Sequence, residues 1–272
     1  MYEDDKIMVF RPGKAFPAVS VTGHGCDLMC LHCKGEHLRG MYSVMTPDRL
    51  LEKAMKVREA GGTGILISGG CDVRGSVPLS RFIGVIGEIS SMGLEVNVHS
   101  GLLTAPEASA LVNAGVTVFS VDIHQDPVVI RNVLNLNEDP LRYGETIDNI
   151  INAGGRVVPH LTIGFGADDL LLSVDLLKNK KIKDIVVLAL VPTKGTDVYP
   201  PSEDGVLTAV SVLIDSGFDV TLGCMRSREY ENVETECIKM GVRKIANPSL
   251  RTVRWAEENG FRTEEIRKCC CL

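Results

Sequence analysis

No apolar run in this 272-residue chain approaches the roughly 20 residues needed to cross a membrane. The opening stretch, MYEDDKIMVF, is acidic and lacks a long apolar core, so it is not expected to act as a signal peptide. Basic residues are in the minority: 29 Lys and Arg stand against 35 Asp and Glu, a formal net charge of −6. A general nucleic-acid binder needs a basic face to release counterions, so that class is not expected. The one dense basic stretch, KNKKIK from Lys178 to Lys183, reads as a solvated helix end. Low-complexity segments, internal repeats and a Pro/Gly-rich linker are also lacking. Together these absences predict one cytoplasmic domain over residues 1–272, with a core at about 17–260, a tail at 261–272, and neither membrane nor nucleic acid as partner.

What the chain does have is cysteine, nine in all. In a reducing compartment these are not expected to form a disulfide framework; metal binding or reactive thiols are the better expectation. Three of them, Cys26, Cys30 and Cys33, fall in GHGCDLMCLHCKGEH (Gly23–His37). Three more, Cys269, Cys270 and Cys271, stand together near the C-terminus. Cys237 lies in the amphipathic stretch ETECIKMGV and reads as a small buried hydrophobe.

Short β-rich runs alternate with amphipathic segments. The strands are expected at 18–23, 64–70, 94–100, 117–123, 156–164, 184–192, 219–225 and 243–249. Most are near-continuous Val/Ile/Leu runs, as in parallel strands buried on both faces. Thr46-Pro47-Asp48 and Thr104-Ala105-Pro106-Glu107 open helices, and glycines such as Gly93, Gly115 and Gly217 close them just before the next strand. About eight such repeats predict an α/β fold, a closed (β/α)8 TIM-type barrel with a cysteine-bearing tail; an open doubly wound sheet is the alternative. In a barrel the active site lies at the C-terminal ends of the strands. Cys26–Cys33 follow the first strand, Ser68-Gly69-Gly70-Cys71 the second, Asp122 and His124 the fourth, and Cys224 the seventh.

Three thiolates on one short loop can ligate three irons of a 4Fe–4S cube, leaving one iron open. A structural zinc using His24, His32 or His37 beside the cysteines is the competing metal. GHGCDLMCLHC resembles the signature of the radical S-adenosylmethionine superfamily. The resemblance implies that Cys26, Cys30 and Cys33 hold the cluster, that S-adenosylmethionine occupies the open iron, and that reductive cleavage yields a 5′-deoxyadenosyl radical. It places His32 near the adenine and Ser68-Gly69-Gly70 near the methionine amino group, with Cys71 where many members have Glu. Glycine there is expected to let the backbone approach the ligand closely.

Over most of its length the chain is similar to biotin synthase, through LVNAGVTVFSVDIHQDP, IGFGADD, LVPTKGTDV and LGCMRSRE. That likeness gives Asp122 and His124 contacts with the ribose or the substrate; a helix cap and a solvated loop are their plainer readings. The ligand positions of biotin synthase's second cluster fall near Ile67, Asn97, Val158 and Thr221, none of which replaces them, so that sulfur-donor site is absent. SGGC, LGCMR and the cysteine tail most resemble the two-protein lipoyl synthase, in particular the member acting on an octanoyl chain. This implies an auxiliary 4Fe–4S cluster held by Cys71, Cys224, Cys269 and Cys270, with Cys271 a substitute, on a tail folded over the barrel mouth. The implied partners are an octanoylated lipoyl carrier protein, a second radical enzyme, and a reductant such as ferredoxin or flavodoxin. A disordered tail and a prenylated Cys-Cys-Cys-Leu end are the competing readings of that segment. Radical chemistry without sulfur transfer, and a non-enzymatic iron–sulfur or zinc scaffold, are the competing functions.

Overall fold

In a computed structural model, which describes residues 5–230 and 232–272, all eight expected strands are present. They are β2 (Ala18–Ser20), β4 (Gly64–Ser68), β5 (Glu95–His99), β6 (Val118–Asp122), β7 (Val157–Ile163), β8 (Asp184–Ala189), β9 (Asp219–Leu222) and β10 (Lys244–Ala246). Three more were not anticipated: β1 (Lys6–Phe10), β3 (Tyr42–Ser43) and β11 (Arg262–Ile266). Thus β1 and β11 fall outside the expected core, and part of the expected tail is a strand. Every ladder is parallel, and the sheet order is β11-β1-β10-β9-β8-β7-β6-β5-β4-β2-β3.

The closed barrel expected from the sequence is therefore a curled, open one. The outer edge of β2 is taken by β3 and that of β10 by β1, which in turn pairs with β11. With both edges occupied, the ladder cannot close on itself.

Strand alternation sorts side chains to two sides. In β4, Ile65 and Ile67 pack in one core with Leu50, Ala54 and Val57 of helix α1 (Pro47–Glu59), while Leu66 and Ser68 face an internal cavity. The helix signals hold. The Thr46 hydroxyl accepts from the Arg49 N–H, and Thr104 with Glu107 forms a capping box on the helix Ala105–Asn113. Gly115 and Gly217 adopt φ of 87° and 88°, where a side chain would be strained, and so end their helices. Cys237 is fully buried in the outer core, and burial pushes its thiol up to about 12.

One buried ion pair locks the loop after β9 to the last helix. Arg226 binds Glu234, and the Glu234 carboxylate also accepts from the Ser249 N–H (2.9 Å) and the Thr252 hydroxyl. Burial pushes the Glu234 carboxyl up, but the Arg226 charge and these hydrogen bonds outweigh it and hold it below its ordinary value. The pair thus stabilises the fold fully above the ordinary carboxylate range, and that contribution is lost as pH falls through the lowered folded value. Glu234→Gln leaves the Arg226 charge buried without its partner and should cost about 3–5 kcal/mol. Thermal unfolding at neutral and acid pH checks this: the gap between wild type and variant should narrow in acid.

Candidate active site

The Cys26–Cys33 loop leaves β2 and doubles back through residues in the left-handed region, including Met29 at φ 45° and Gly35 at φ 75°. Two distant segments brace it. Asn135 Nδ2 donates to the Leu28 and Met29 carbonyls (2.9 and 3.0 Å), and the Leu31 N–H donates to Val133 (2.8 Å). The Thr193 N–H donates to the His32 carbonyl (3.1 Å), and Lys34 Nζ to Gly195 (2.7 Å). The segment LVPTKGTDV thus supports the loop. Hydrogen bonding from Cys30 brings the Cys33 thiol down to about 4, while Cys30 itself is pushed well up. The trio readily holds a thiolate, the form that binds metal.

The end of β4 packs directly beneath this loop. The Gly70 N–H donates to Thr22 Oγ1 (2.7 Å), whose own hydroxyl donates to the Gly25 carbonyl (2.8 Å). A Cβ on Gly70 would collide with the Gly25 carbonyl oxygen and lie 2.6 Å from Cys26 Cα. In this structure, then, Gly70 is bare so that the strand end can meet the cysteine loop itself. Gly70→Ala should cost about 1–3 kcal/mol through overpacking and lower the iron retained by the loop. Gly69→Ala, whose Cβ would meet only side-chain atoms at 3.2 Å, should do less. Iron analysis and thermal melts of the two variants check the order.

The tail takes a different route from the one expected. After β11 the Arg267 carbonyl accepts from the Thr63 hydroxyl (2.8 Å), just before β4 begins, and Lys268 pairs with Glu95 (2.9 Å), the first residue of β5. The chain therefore enters the lumen from the end where the strands start, instead of folding over the mouth. Asn97 Nδ2 donates to Cys269 Sγ (3.2 Å), and Cys271 Sγ lies 3.3 Å from Ser120 Oγ and 3.6 Å from His160 Nε2. Cys271 is 2% exposed, packed with Val118, Val158, Val186 and Leu188. The ligand atoms of Cys269, Cys270 and Cys271 all lie within 4.8 Å of one another. The tail is a turn, closed by the Leu272 N–H donating to the Cys269 carbonyl (3.2 Å), which gathers all three. Hydrogen bonding with Cys270 and Cys271 holds Cys269 well below its ordinary value, and the same contacts with Cys269 push its two neighbours up.

The other two cysteines expected beside the tail are divided. Cys71 stands by the first group: the Asp27 N–H donates to its carbonyl (2.9 Å), and burial, followed by the Cys26 and Asp122 charges, pushes its thiol up to about 12. Cys224 faces the cavity near enough to Cys269 for that thiolate to act on it.

Of four polar residues between the two thiol groups, Asn97 enters the sequence reading only as a position that supplies no cluster ligand, and His99, Ser120 and His160 carried no signal of their own. His99 Nε2 lies 3.5 Å from Asp122 Oδ2, and its ring is 5.2 Å from that of His160. Asn97 and Ser120 are buried beside the tail, Ser120 Oγ donating to Asn97 Oδ1 (2.9 Å). Burial would lower His99, but the Asp122 carboxylate outweighs it; enclosure would raise Asp122, but His99 outweighs that and lowers it. His160 is brought down to about 4 by burial and by the His99 charge. His124 is anchored by Asp169: Nδ1 is 2.9 Å from Oδ2, while Oδ1 accepts from the Gln125 and Asp126 N–H groups (2.6 and 2.9 Å). The last aspartate of IGFGADD, Asp169, therefore positions His124.

The thirteen residues given a cluster or cofactor role from the sequence, the substitute Cys271 aside, all line one cavity of about 480 Å³, within the roughly 300–1,000 Å³ usual for small-molecule sites. His32 Nδ1 is buried in that wall without a hydrogen-bond partner. The His32 ring meets Phe165 edge-on at 5.2 Å, and Phe165 meets His124 at 5.1 Å, giving flat surfaces suited to a purine. The ligand atoms of Cys30, Cys33 and His32 lie within 4.8 Å of one another, with Cys26 lining the same cavity; these donors and the cavity's size fit an iron–sulfur cluster with an adenosyl ligand.

Fold and site together define a partial parallel barrel that presents thiols for a metal centre at its mouth. The family model described as the radical SAM superfamily matches residues 20–192, from the end of β2 to the loop after β8, so the chain belongs to the radical SAM superfamily. Membership implies a 4Fe–4S cluster and S-adenosylmethionine. Among curated relatives, the biotin synthase of Prochlorococcus marinus subsp. pastoris (strain CCMP1986 / NIES-2087 / MED4) is 25% identical over 258 residues, covering 86% of this chain and 77% of the relative. The biotin synthase of Synechococcus sp. (strain CC9902) is 22% identical over 244 residues, covering 84% and 72%. The crystal structure of HydG, a maturase of FeFe-hydrogenase, superposes with a TM-score of 0.67 at 16% identity, over 96% of this chain and 64% of that one. The latter likeness is one of fold. Among the described residues no helix is long and apolar enough to cross a membrane.

Proposed function

We propose that this protein inserts sulfur into an unactivated C–H bond of an octanoyl chain carried on a protein lysine, as a step in making the lipoyl cofactor. The observation that carries this reading is the presence of two separate groups of metal-binding side chains, Cys30 and Cys33 with His32 on the β2 loop, where Cys26 lines the same cavity, and Cys269, Cys270 and Cys271 on the tail within the lumen. When bound, an iron–sulfur cluster with S-adenosylmethionine and an auxiliary cluster supply a hydrogen-abstracting radical and sulfide. A saturated chain offers no acidic proton for acid–base chemistry, so a radical route suits it.

Cys26, Cys30 and Cys33 hold the radical-generating cluster. Gly69, Gly70 and Ser68 shape the floor beneath it, and His32 packs near the adenine. His124, fixed by Asp169, and Asp122, fixed by His99, bind the ribose or the substrate. The tail thiols hold the auxiliary cluster, with Cys224 close by. Leu66, Leu102, Leu136, Val186 and Leu188 line the cavity between them and suit an acyl chain. The substrate is an octanoylated carrier protein; a second radical enzyme and a ferredoxin- or flavodoxin-type reductant complete the system.

Mass spectrometry of an octanoyl-lysine peptide, incubated anaerobically with reductant and S-adenosylmethionine, tests this. A sulfur-bearing product is expected. Formation of 5′-deoxyadenosine with no sulfur gain, on protein holding both clusters, would reject the substrate while leaving the family chemistry intact.

A further inference from the structure

We infer that His160 is a nitrogen ligand of the metal centre held by the tail cysteines. This rests on the reading that the tail holds an auxiliary iron–sulfur cluster, and it supplies what that centre lacks. Three thiols converge within 4.8 Å, whereas such clusters are normally held by four protein ligands. Cys71 stands by the other thiol group, and Cys224 lies outside the convergent trio.

His160 Nε2 is 3.6 Å from Cys271 Sγ. The residue is 8% exposed and sits on the inward face of β7, two positions beyond Val158, which packs against Cys271. Its Nδ1 is 3.2 Å from the Val158 carbonyl oxygen. A carbonyl only accepts, so Nδ1 carries the proton and Nε2 presents its lone pair to the thiols. Metal-bound histidines take this arrangement, donating the far N–H to a backbone carbonyl and binding through the other nitrogen. A further contact serves sulfur: Asn97 Nδ2 donates to Cys269 (3.2 Å). Donors of this kind, together with imidazole in place of thiolate, raise the reduction potential of an iron–sulfur cluster.

The test isolates the tail centre in the Cys26→Ala, Cys30→Ala, Cys33→Ala variant, reconstituted anaerobically with iron and sulfide alone. Pulsed electron paramagnetic resonance of the reduced protein is compared with and without 15N-histidine. The expected result is about four irons per chain and a nitrogen coupling that changes on labelling. The coupling should vanish in the further variant His160→Cys with iron retained. Iron without nitrogen coupling, or coupling that survives His160→Cys, rejects the His160 assignment and leaves the auxiliary cluster standing. A folded variant that binds no iron rejects both. Circular dichroism establishes folding. If the variant does not fold, the same labelling on the unaltered chain, reconstituted without S-adenosylmethionine, decides: a histidine coupling on its second cluster species supports the assignment, and none on either species overturns it.

Discussion

The triple variant Cys26→Ala, Cys30→Ala, Cys33→Ala should form no 5′-deoxyadenosine while keeping the fold. On the proposed reading these three thiols hold the cluster: Cys30 and Cys33 lie with His32 within 4.8 Å of one another, and Cys26 and Cys71 line the same cavity. Cys71 alone cannot hold a cube that normally takes four protein ligands, so its retention would not rescue the variant. Structurally the change is mild. Cys26 and Cys33 are half-buried, and only Cys30 packs in the core, at 9% exposure. The loop is braced by backbone and Asn135 contacts that do not involve sulfur. Truncating one small buried side chain should cost about 1 kcal/mol, a modest shift in the thermal melt. Chromatographic assay of 5′-deoxyadenosine with a chemical reductant reads the outcome. Reductive cleavage at the wild-type rate by the triple variant would show that the first thiol group is not the radical-generating site.

Ending the chain after Lys268 should leave 5′-deoxyadenosine formation in place, remove about half the bound iron, and abolish carbon–sulfur bond formation. Lys268 still pairs with Glu95 and Arg267 with Thr63, so the strand end stays anchored. What is lost is the turn that delivers three thiols to the lumen. Its departure uncovers Asn97, Ser120 and His160, and leaves a hollow against Val118, Val158, Val186 and Leu188. A variant with Ser at 269, 270 and 271 separates ligation from packing, because it keeps the turn and its volume. Both should lose the same iron. Full iron content in either chain would remove the tail from the ligand set and with it the sulfur-donor role.

Several elements were legible because their signals are local. The spacing of Cys26, Cys30 and Cys33, the Val/Ile/Leu runs of eight strands, the Thr46 and Thr104 caps and the glycine stops each depend on a few neighbouring residues. Alternation along a strand also foretells that Val158 and His160 share a face. Likewise, Asn97 and Val158 were marked from the sequence as positions without a cluster ligand. The structure brings thiols there from elsewhere, with Cys269 against Asn97 and Cys271 against Val158.

The sequence by itself determined the parallel α/β repeat, the cysteine loop at the C-terminal end of its first core strand, and part of the set of residues that share the cavity. Tertiary structure alone decided that the sheet stays open, because pairing at an edge depends on which distant strand arrives first: β3 on β2, and β1 with β11 on β10. It alone decided that the tail enters from below, since contacts between Lys268 and Glu95 or Cys271 and His160 span 173 and 111 positions and leave no periodic trace. A histidine on a buried strand looks like any inward residue until folding sets a thiol beside it.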